Sequence, residues 1–469
     1  MASAASVAKP MTAEASPTRQ LAQFSAGLTF EQLPAEVVSK LKLCILDTLG
    51  CAVFGETLVS VRKLATMVAA EGKGDAIVFG SPMRTSGSLA ALLNGTSAHA
   101  FQLDEIHLES TLHPGSLALP AAFALAHDTC SGRDLLTAIA AGYETGMRVG
   151  LAAKGGMFKS GYHNQGTSGV FVAAAAAARM LRLDAQQTQH AFGIAGSQAA
   201  GLMAVQDGAM AKSFHCGRAA QSGVYAAKLA QLGYTGIPDV LDGAYGTFFP
   251  SFLDEWSQAP LSEGLGTQWH SLRVGFKPAP AANGNITAMT AMDTIMREHG
   301  ITAADIETIT AHVSDNTLHH CGWPYEAERI QSPLSAQMNL RYGIAVMAIE
   351  RKNGAAQFAD DKIRDPNILA FIKRIAVAHD ATFDGDNGRY RIACRLAVRC
   401  TDGRLLETTV LYRKGSPEDP MSQGEIEDKF RTLTGSLAAG ASERIGEIVG
   451  RLDAEEHLAP LAGLLTAVG

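Results

Sequence analysis

The sequence predicts a mainly α protein: a large helical domain built from both ends of the chain, with a smaller α+β unit inserted before the last helices. Three observations predict it. Residues 18–270 read as successive helices rich in Ala, Leu and Gly. Near residue 270 the pattern changes to short β-branched and alternating runs that continue to about residue 411. Residues 422–469 then return to helical periodicity. The implied boundaries are 1–270, 271–411 and 412–469, and 469 residues suffice for two to three such units with a sizeable core.

In order, LPAEVVSKLKLCILDTLGCAVFG has apolar residues near helical spacing, with Pro34 near its start and Gly50 and Gly55 near its end. SGRDLLTAIAAGYETGMRVGLAA opens with Ser131 as N-cap and Asp134 three residues on, a capping-box pattern. GVFVAAAAAARMLRLD is a strong helix because Ala is the best helix former; its run of alanines means close helix packing. DAQQTQHAFGIAGSQAAGLM and RAAQSGVYAAKLAQLGYTG complete the first helical set. WHSLRVGFKPAP reads as a short strand ending at Pro278, DIETITAHVSD (305–315) as a strand, and 391–415 as a β-hairpin around Thr401-Asp402-Gly403. GNITAMTAMDTIMREHG and SAQMNLRYGIAVMAIERKNG are helices between them; SQGEIEDKFRTLTGSL and SERIGEIVGRLDAEE form the helical return.

Composition narrows the function. A net charge of −7 argues against a nucleic-acid or anionic-membrane partner, which calls for a basic surface. It leaves room for a small anionic substrate held by a local cluster of Lys, Arg and His. No run approaches eighteen uninterrupted apolar residues, so no membrane span is expected. Seven cysteines without a CxxC read as reduced core residues of a cytoplasmic protein. The first twenty residues are small, polar and expected to fray, and they lack the apolar region of a secretory signal.

Three polar islands interrupt the apolar helices. NGTSAHAFQLDEIHLESTLHPG (94–115) carries His99, His107 and His113 with Asp104, Glu105 and Glu109, and His127 follows. SGYHNQGTSG carries His163, Asn164, Gln165, Thr167 and Ser168; MAKSFHCGRAAQSG carries Lys212, His215 and Arg218. Titratable groups are costly to bury without partners and suit proton transfer near neutrality, so three islands suggest one composite pocket. His113, before proline, is extended rather than helical and either projects into a pocket or packs on a turn. The 163–168 loop, ahead of a helix N-terminus, is either a carboxylate cradle or an ordinary polar cap. Lys212, among small and apolar residues, is either a buried base or cation with a lowered pKa, or a snorkelling surface lysine; Lys277 in VGFKPAP raises the same choice. The spacing of His99, His107 and His113 is not that of a helical zinc site, so no metal is expected. P-loop, Rossmann and GxSxG motifs are missing from the sequence, so no nucleotide cofactor or serine nucleophile is expected either.

At these islands the chain resembles the MmgE/PrpD family, which includes 2-methylcitrate dehydratase, cis-aconitate decarboxylase and iminodisuccinate epimerase. The resemblance runs through NGTSAHAFQLDE and HPG, GYHNQGTSGVFVAAAAAARMLRLD, DGAMAKSFHCGRAAQSGVYAAKLAQLGYTG, FKPAP and RKGSPEDPMSQGEIEDKF. It implies an inserted lid domain, a homodimer, and chemistry without metal or organic cofactor. It places His113, His163, Lys212, Lys277 and Asp104 at the family's catalytic positions, Glu105 completing the acidic pair. His107, Asn164, Gln165, Thr167, His215 and Arg218 are the accompanying substrate-binding candidates. Two positions depart. Ala282 stands where decarboxylase-like members have histidine and others cysteine, and Leu318, beside His319 and His320, stands where cis-aconitate decarboxylases have tyrosine. The expectation is a cofactor-independent lyase or isomerase acting on a small di- or tricarboxylate. Dehydration of a 2-methylcitrate-like acid ranks first, epimerisation of an iminodisuccinate-like compound second and decarboxylation third. A non-catalytic carboxylate-binding protein is the alternative from another class.

Overall fold

A computed structural model describes residues 16–127, 129–243, 245–330, 332–385 and 388–469. The expectation for the first fifteen residues lies outside this range.

The protein is mainly α, and its helices are fixed by the signals that the sequence carries. Pro34 precedes the Ala35–Glu56 helix. Ser131 and Asp134 form the expected capping box of the Gly132–Ala152 helix. The alanine run lies in the Gly169–Met180 helix, where Ala173 to Ala178 are fully buried. Side chains that small let this helix pack directly against Gly132–Ala152 on one side and Ala211–Gln231 on the other. The Ala211–Gln231 helix also crosses Gly87–His99 closely, and two glycines meet at the crossing. A Cβ on Gly217 would lie 2.1 Å from the Leu92 carbonyl oxygen, and one on Gly95 only 3.0 Å from the Gly217 Cα. This approach brings Lys212, near the start of one helix, over His99 at the end of the other.

Two short strands, β1 (Ala76–Ile77) and β2 (Arg84–Thr85), pair antiparallel. The main sheet comprises β3 (Ile306–Val313), β4 (Ile375–His379), β5 (Cys394–Cys400) and β6 (Leu405–Val410). Their spatial order is β4-β3-β5-β6, with β3 parallel to β4 and the other pairs antiparallel. The β5–β6 hairpin turns at 401–403 as its turn signal predicts.

The strand expected in WHSLRVGFKPAP does not form. His270–Arg273 is a 3-10 turn, and this segment contributes one isolated bridge, Gly275 to Ile106. The buried carboxylate of Glu144 accepts from the backbone N–H groups of His270 (3.0 Å) and Ser271 (2.9 Å), satisfying donors that a ladder would otherwise use.

The buried apolar residues form two main clusters. One joins Leu21 to Phe276 with Ile426 to Leu465, so both chain ends share it. The other gathers Ala279 to Leu406 with Phe101. The Gln423–Leu433 helix, capped by the Ser422–Glu425 box, packs on Ala35–Glu56 within the first. All seven cysteines are free and buried. Among the described residues, no helix is long and apolar enough to cross a membrane.

Candidate functional site

The three polar islands converge where the first helical segment meets the 271–280 segment. Asp104, in the connection between the Gly87–His99 and Gly115–Phe123 helices, is fully buried and forms the hub. His99 Nδ1 lies 2.9 Å and His113 Nδ1 3.2 Å from its Oδ2, and Ser116 Oγ donates to the same oxygen at 2.6 Å. Four imidazoles follow in a row. Ring centroids are 4.6 Å apart for His113 and His99, 5.8 Å for His99 and His163, and 5.2 Å for His163 and His215. His163 Nδ1 and His215 Nδ1 face each other at 3.0 Å, so one carries the proton that the other accepts.

The two lysines meet at Gln102. Lys212 Nζ donates to Gln102 Oε1 at 2.6 Å and lies 3.3 Å from His99 Nε2. Lys277 Nζ donates to the backbone carbonyl of Gln102 at 3.0 Å. Both lysines are buried, which rules out the snorkelling reading. Gln102 itself has φ of 58°, a left-handed conformation uncommon for a non-glycine residue and typical of sites where surroundings over-determine the backbone.

The electrostatics separate the groups by role. Burial lowers Lys212 to about 8, although the Asp104 charge opposes this. Burial, reinforced by the charge of Lys212, lowers Lys277 to about 7, again against the pull of Asp104. His99 is pushed down to about 3 by burial, and His163 falls by burial and by the charge of Lys212, so both are neutral at rest. Burial alone would raise Asp104, but the imidazoles of His113 and His99 outweigh it and hold it well below the usual carboxylate range. Its neighbour Glu105 is raised to about 8, by burial and then by the charge of Asp47. The acidic pair is thus one ionised and one protonated carboxyl, the pattern that assigns different tasks to adjacent acids. Glu105 accepts from Gly115 N–H and from the Tyr143 hydroxyl, each at 2.7 Å, which braces the turn bearing His113.

Other candidates have different places. Gln165 accepts from His113 N–H (3.0 Å) and donates to the Thr111 carbonyl (3.0 Å), and Asn164 reaches the Ser110 carbonyl (3.4 Å). Thr167 bonds the His163 carbonyl at 3.3 Å. These residues tie one loop to another, so much of the expected cradle is spent on internal bonds. His107 does not join the row: its Nδ1 lies 2.9 Å from Ser110 Oγ and its ring faces His270. Arg218 is exposed on the far side of its helix, paired with Gln221. Ala282 is buried at the start of the Asn283–His299 helix.

His99, Gln102, Ser116, His320 and Arg391 were given no role from sequence. His320 is half-buried, its Nδ1 2.9 Å from Gln206 Oε1 and its ring against Phe158. Burial and the charges of Lys212, Lys277 and Arg391 push it down to about 3. Arg391 donates to the Leu108 carbonyl and to Thr111 Oγ1 at 3.2 Å, and Thr111, like Gln102, has φ of 58°. His99 and His320 were visible as titratable residues near named motifs; Arg391 carried no signal.

Spacing argued against a metal, yet folding gathers possible ligand atoms of His99, Asp104 and His113 within 4.8 Å of one another. The donor chemistry does not favour a cation there. Asp104 already receives Ser116 and sits between two imidazoles, and the ammonium of Lys212 lies 3.3 Å from His99. We expect ligand turnover to survive exhaustive chelation; loss in EDTA reversed by Zn2+ or Fe2+ would overturn this.

Comparison with known proteins agrees with the motifs. The profile of the MmgE/PrpD N-terminal domain matches residues 19–259 and that of the C-terminal domain residues 280–454. A cis-aconitate decarboxylase of Aspergillus terreus is 29% identical over 96% of this chain and 95% of its own length. A cis-aconitate decarboxylase-like protein, oryM, of Aspergillus oryzae is 30% identical over 97% and 98%. The human cis-aconitate decarboxylase is 26% identical over 96% and 94%. With both domain profiles matched in order and relatives aligned end to end, this chain belongs to the MmgE/PrpD family.

Proposed function

We propose that the protein is a cofactor-independent lyase acting on a small tricarboxylate, and that decarboxylation of cis-aconitate or a close analogue is its reaction. The observation that carries the reading is the meeting of two buried lysines at Gln102 beside imidazoles held by Asp104. Such a site attracts a polyanion and meets negative charge that develops next to a carboxylate. When the C–C bond to a departing carboxylate breaks, CO2 leaves and the electron pair passes into the remaining conjugated acid. Lys212 and Lys277 stabilise that charge, and His113 or His163, having taken up a proton from solvent when the polyanion binds, returns it to carbon and is neutral again. The full-length relatives support placing decarboxylation ahead of the dehydration that the family resemblance in the sequence ranked first. Dehydration of a 2-methylcitrate-like acid is the second reading; Ala282 and Leu318, which match neither the histidine and tyrosine of decarboxylase-like members nor the cysteine of the others, count against both.

In this reading the 271–411 unit is a lid. Supporting it, Lys277 reaches Gln102, Gln337 Nε2 reaches the Phe101 carbonyl (3.1 Å) and Arg391 reaches the 108–111 loop. A homodimer belongs to the same reading, and the exposed Tyr225, Leu232 and Tyr234 offer an apolar face for it.

The test is NMR of the protein with a panel of di- and tricarboxylates in D2O. We expect cis-aconitate to lose CO2 and the product to gain one deuterium. Binding without turnover or C–H exchange across the panel would make the protein a carboxylate binder instead.

A further inference from the structure

Asp104 is the hub of the site, yet among the described residues the hydrogen bonds that hold its flanking peptide groups come from outside the site. What fixes it lies behind. Lys429, on the Gln423–Leu433 helix, donates from Nζ to the Leu103 carbonyl at 2.6 Å and to Asp47 Oδ1 at 2.6 Å. The other oxygen of Asp47, on the Ala35–Glu56 helix, accepts from Glu105 N–H at 3.0 Å. The two peptide groups that flank Asp104 are therefore held, one by each member of a single ion pair. Asp47 is fully buried and the Lys429 side chain is 9% exposed.

A buried ion pair is a poor way to gain stability, because desolvation of two charges offsets their attraction; apolar residues of similar size do as well or better. The pair does what apolar residues cannot: it supplies one donor and one acceptor, aimed at the two backbone groups beside the residue that orients His99 and His113. Small errors in such geometry are expensive, since a displacement of about 1 Å can cost about a hundredfold in rate. The charge of Lys429 also acts on Lys277, helping to keep its pKa low, behind burial and the charges of Lys212 and Arg413.

We propose that Asp47 and Lys429 are positioning residues that lock Asp104, so that a helix from the C-terminal return sets the proton-transfer geometry of a site built from the first part of the chain. The proposal rests on Asp104 orienting the imidazoles, as in the function proposed above.

The test compares two double variants of the full-length protein. Asp47→Leu/Lys429→Met removes both the donor and the acceptor without leaving a lone buried charge. Lys42→Met/Asp453→Asn removes another pair that ties the Ala35–Glu56 helix to the C-terminal segment, away from the site. Histidine 15N NMR, assigned with single His→Gln variants, reports the tautomers of His99 and His113 whether or not a substrate is known; turnover of cis-aconitate is the second readout. For the clamp variant we expect altered His99 and His113 signals, a kcat at least about tenfold lower and a KM within about threefold, as a loss of positioning predicts. The control keeps wild-type signals and kcat. If the clamp variant does not fold, Lys429→Met alone serves: it deletes the donor to both oxygens and leaves Asp47 to accept from Glu105 N–H, so the same signals should shift. Wild-type signals and kcat in the clamp variant, or in Lys429→Met where that variant is needed, would overturn the proposal, as would equal changes in the control. If the wild type does not turn over cis-aconitate, the proposed function fails, while the imidazole signals still decide the clamp.

Discussion

Alanine in place of His113, His163 or Lys212 should lower kcat/KM by at least about a hundredfold, the low end for losing a general acid or base or a charge-stabilising donor. The structure sharpens the reason. His113 is one of two imidazoles on Asp104, His163 is the link between His99 and His215, and Lys212 is the cation nearest His99. All three are buried, so each change also leaves partners unsatisfied and should cost about 1–3 kcal/mol of stability. Rates must therefore be compared on protein shown to be folded by melting. His127→Ala is the control: His127 is exposed on a turn beyond the Gly115–Phe123 helix and should be neutral in both rate and melting. Loss of turnover in His127→Ala, with near-normal rates for folded His113→Ala and His163→Ala, would show that the site lies elsewhere.

Much of this was legible because the informative residues break a simple background. Titratable residues gathered in three polar islands between Ala- and Gly-rich helices pointed to one pocket, and the resemblance to the MmgE/PrpD family then singled out His113, His163 and Lys212. Hydrophobic period gave the helices, and a Thr-Asp-Gly turn gave the β5–β6 hairpin. β4 was not anticipated, because it is a short parallel edge strand whose partner is distant in sequence. WHSLRV misled because its alternation is real but its N–H groups go to Glu144, a partner that local pattern cannot reveal.

The site's missed members share one property: their roles depend on contacts across long separations. Gln102 looks like an ordinary loop residue until both lysines are placed on it. Lys429 looks like an exposed charge on an amphipathic helix until Asp47 and the Leu103 carbonyl are found beside it. Arg218 shows the converse error. It stands six residues from Lys212 and was grouped with it, but helical geometry turns it to the outer face. Proximity in sequence selects a motif, whereas helical phase decides which of its members enter the site.

Lys277→Met should separate activity from stability most clearly. Burial, with the charges of Lys212, Arg413 and Lys429, brings Lys277 down to about 7, and only Asp104 pulls the other way. Because this folded-state value lies below that of an unfolded lysine, the unfolded chain binds more protons between about pH 7 and pH 10.5, and stability rises with pH across that window. Below pH 7 the buried ammonium imposes its full cost, on the order of a few kcal/mol. A methionine of similar length removes that cost. At pH 6.5 the variant should melt no lower than the wild type, and any advantage should shrink as pH approaches 10. Activity should run the opposite way. If the ammonium meets developing charge, kcat/KM of the wild type falls as pH climbs past about 7 to 8, where Lys277 and then Lys212 lose their protons. A bound trianion favours both charged lysines, so the alkaline limb of kcat should lie at higher pH than that of kcat/KM. Lys277→Met should lose at least about a hundredfold in kcat/KM, together with the lower of these two limbs. A folded variant with wild-type kcat/KM at pH 6.5, or one that melts well below the wild type at that pH, would show that Lys277 is a structural lysine rather than a cation held in reserve for the substrate.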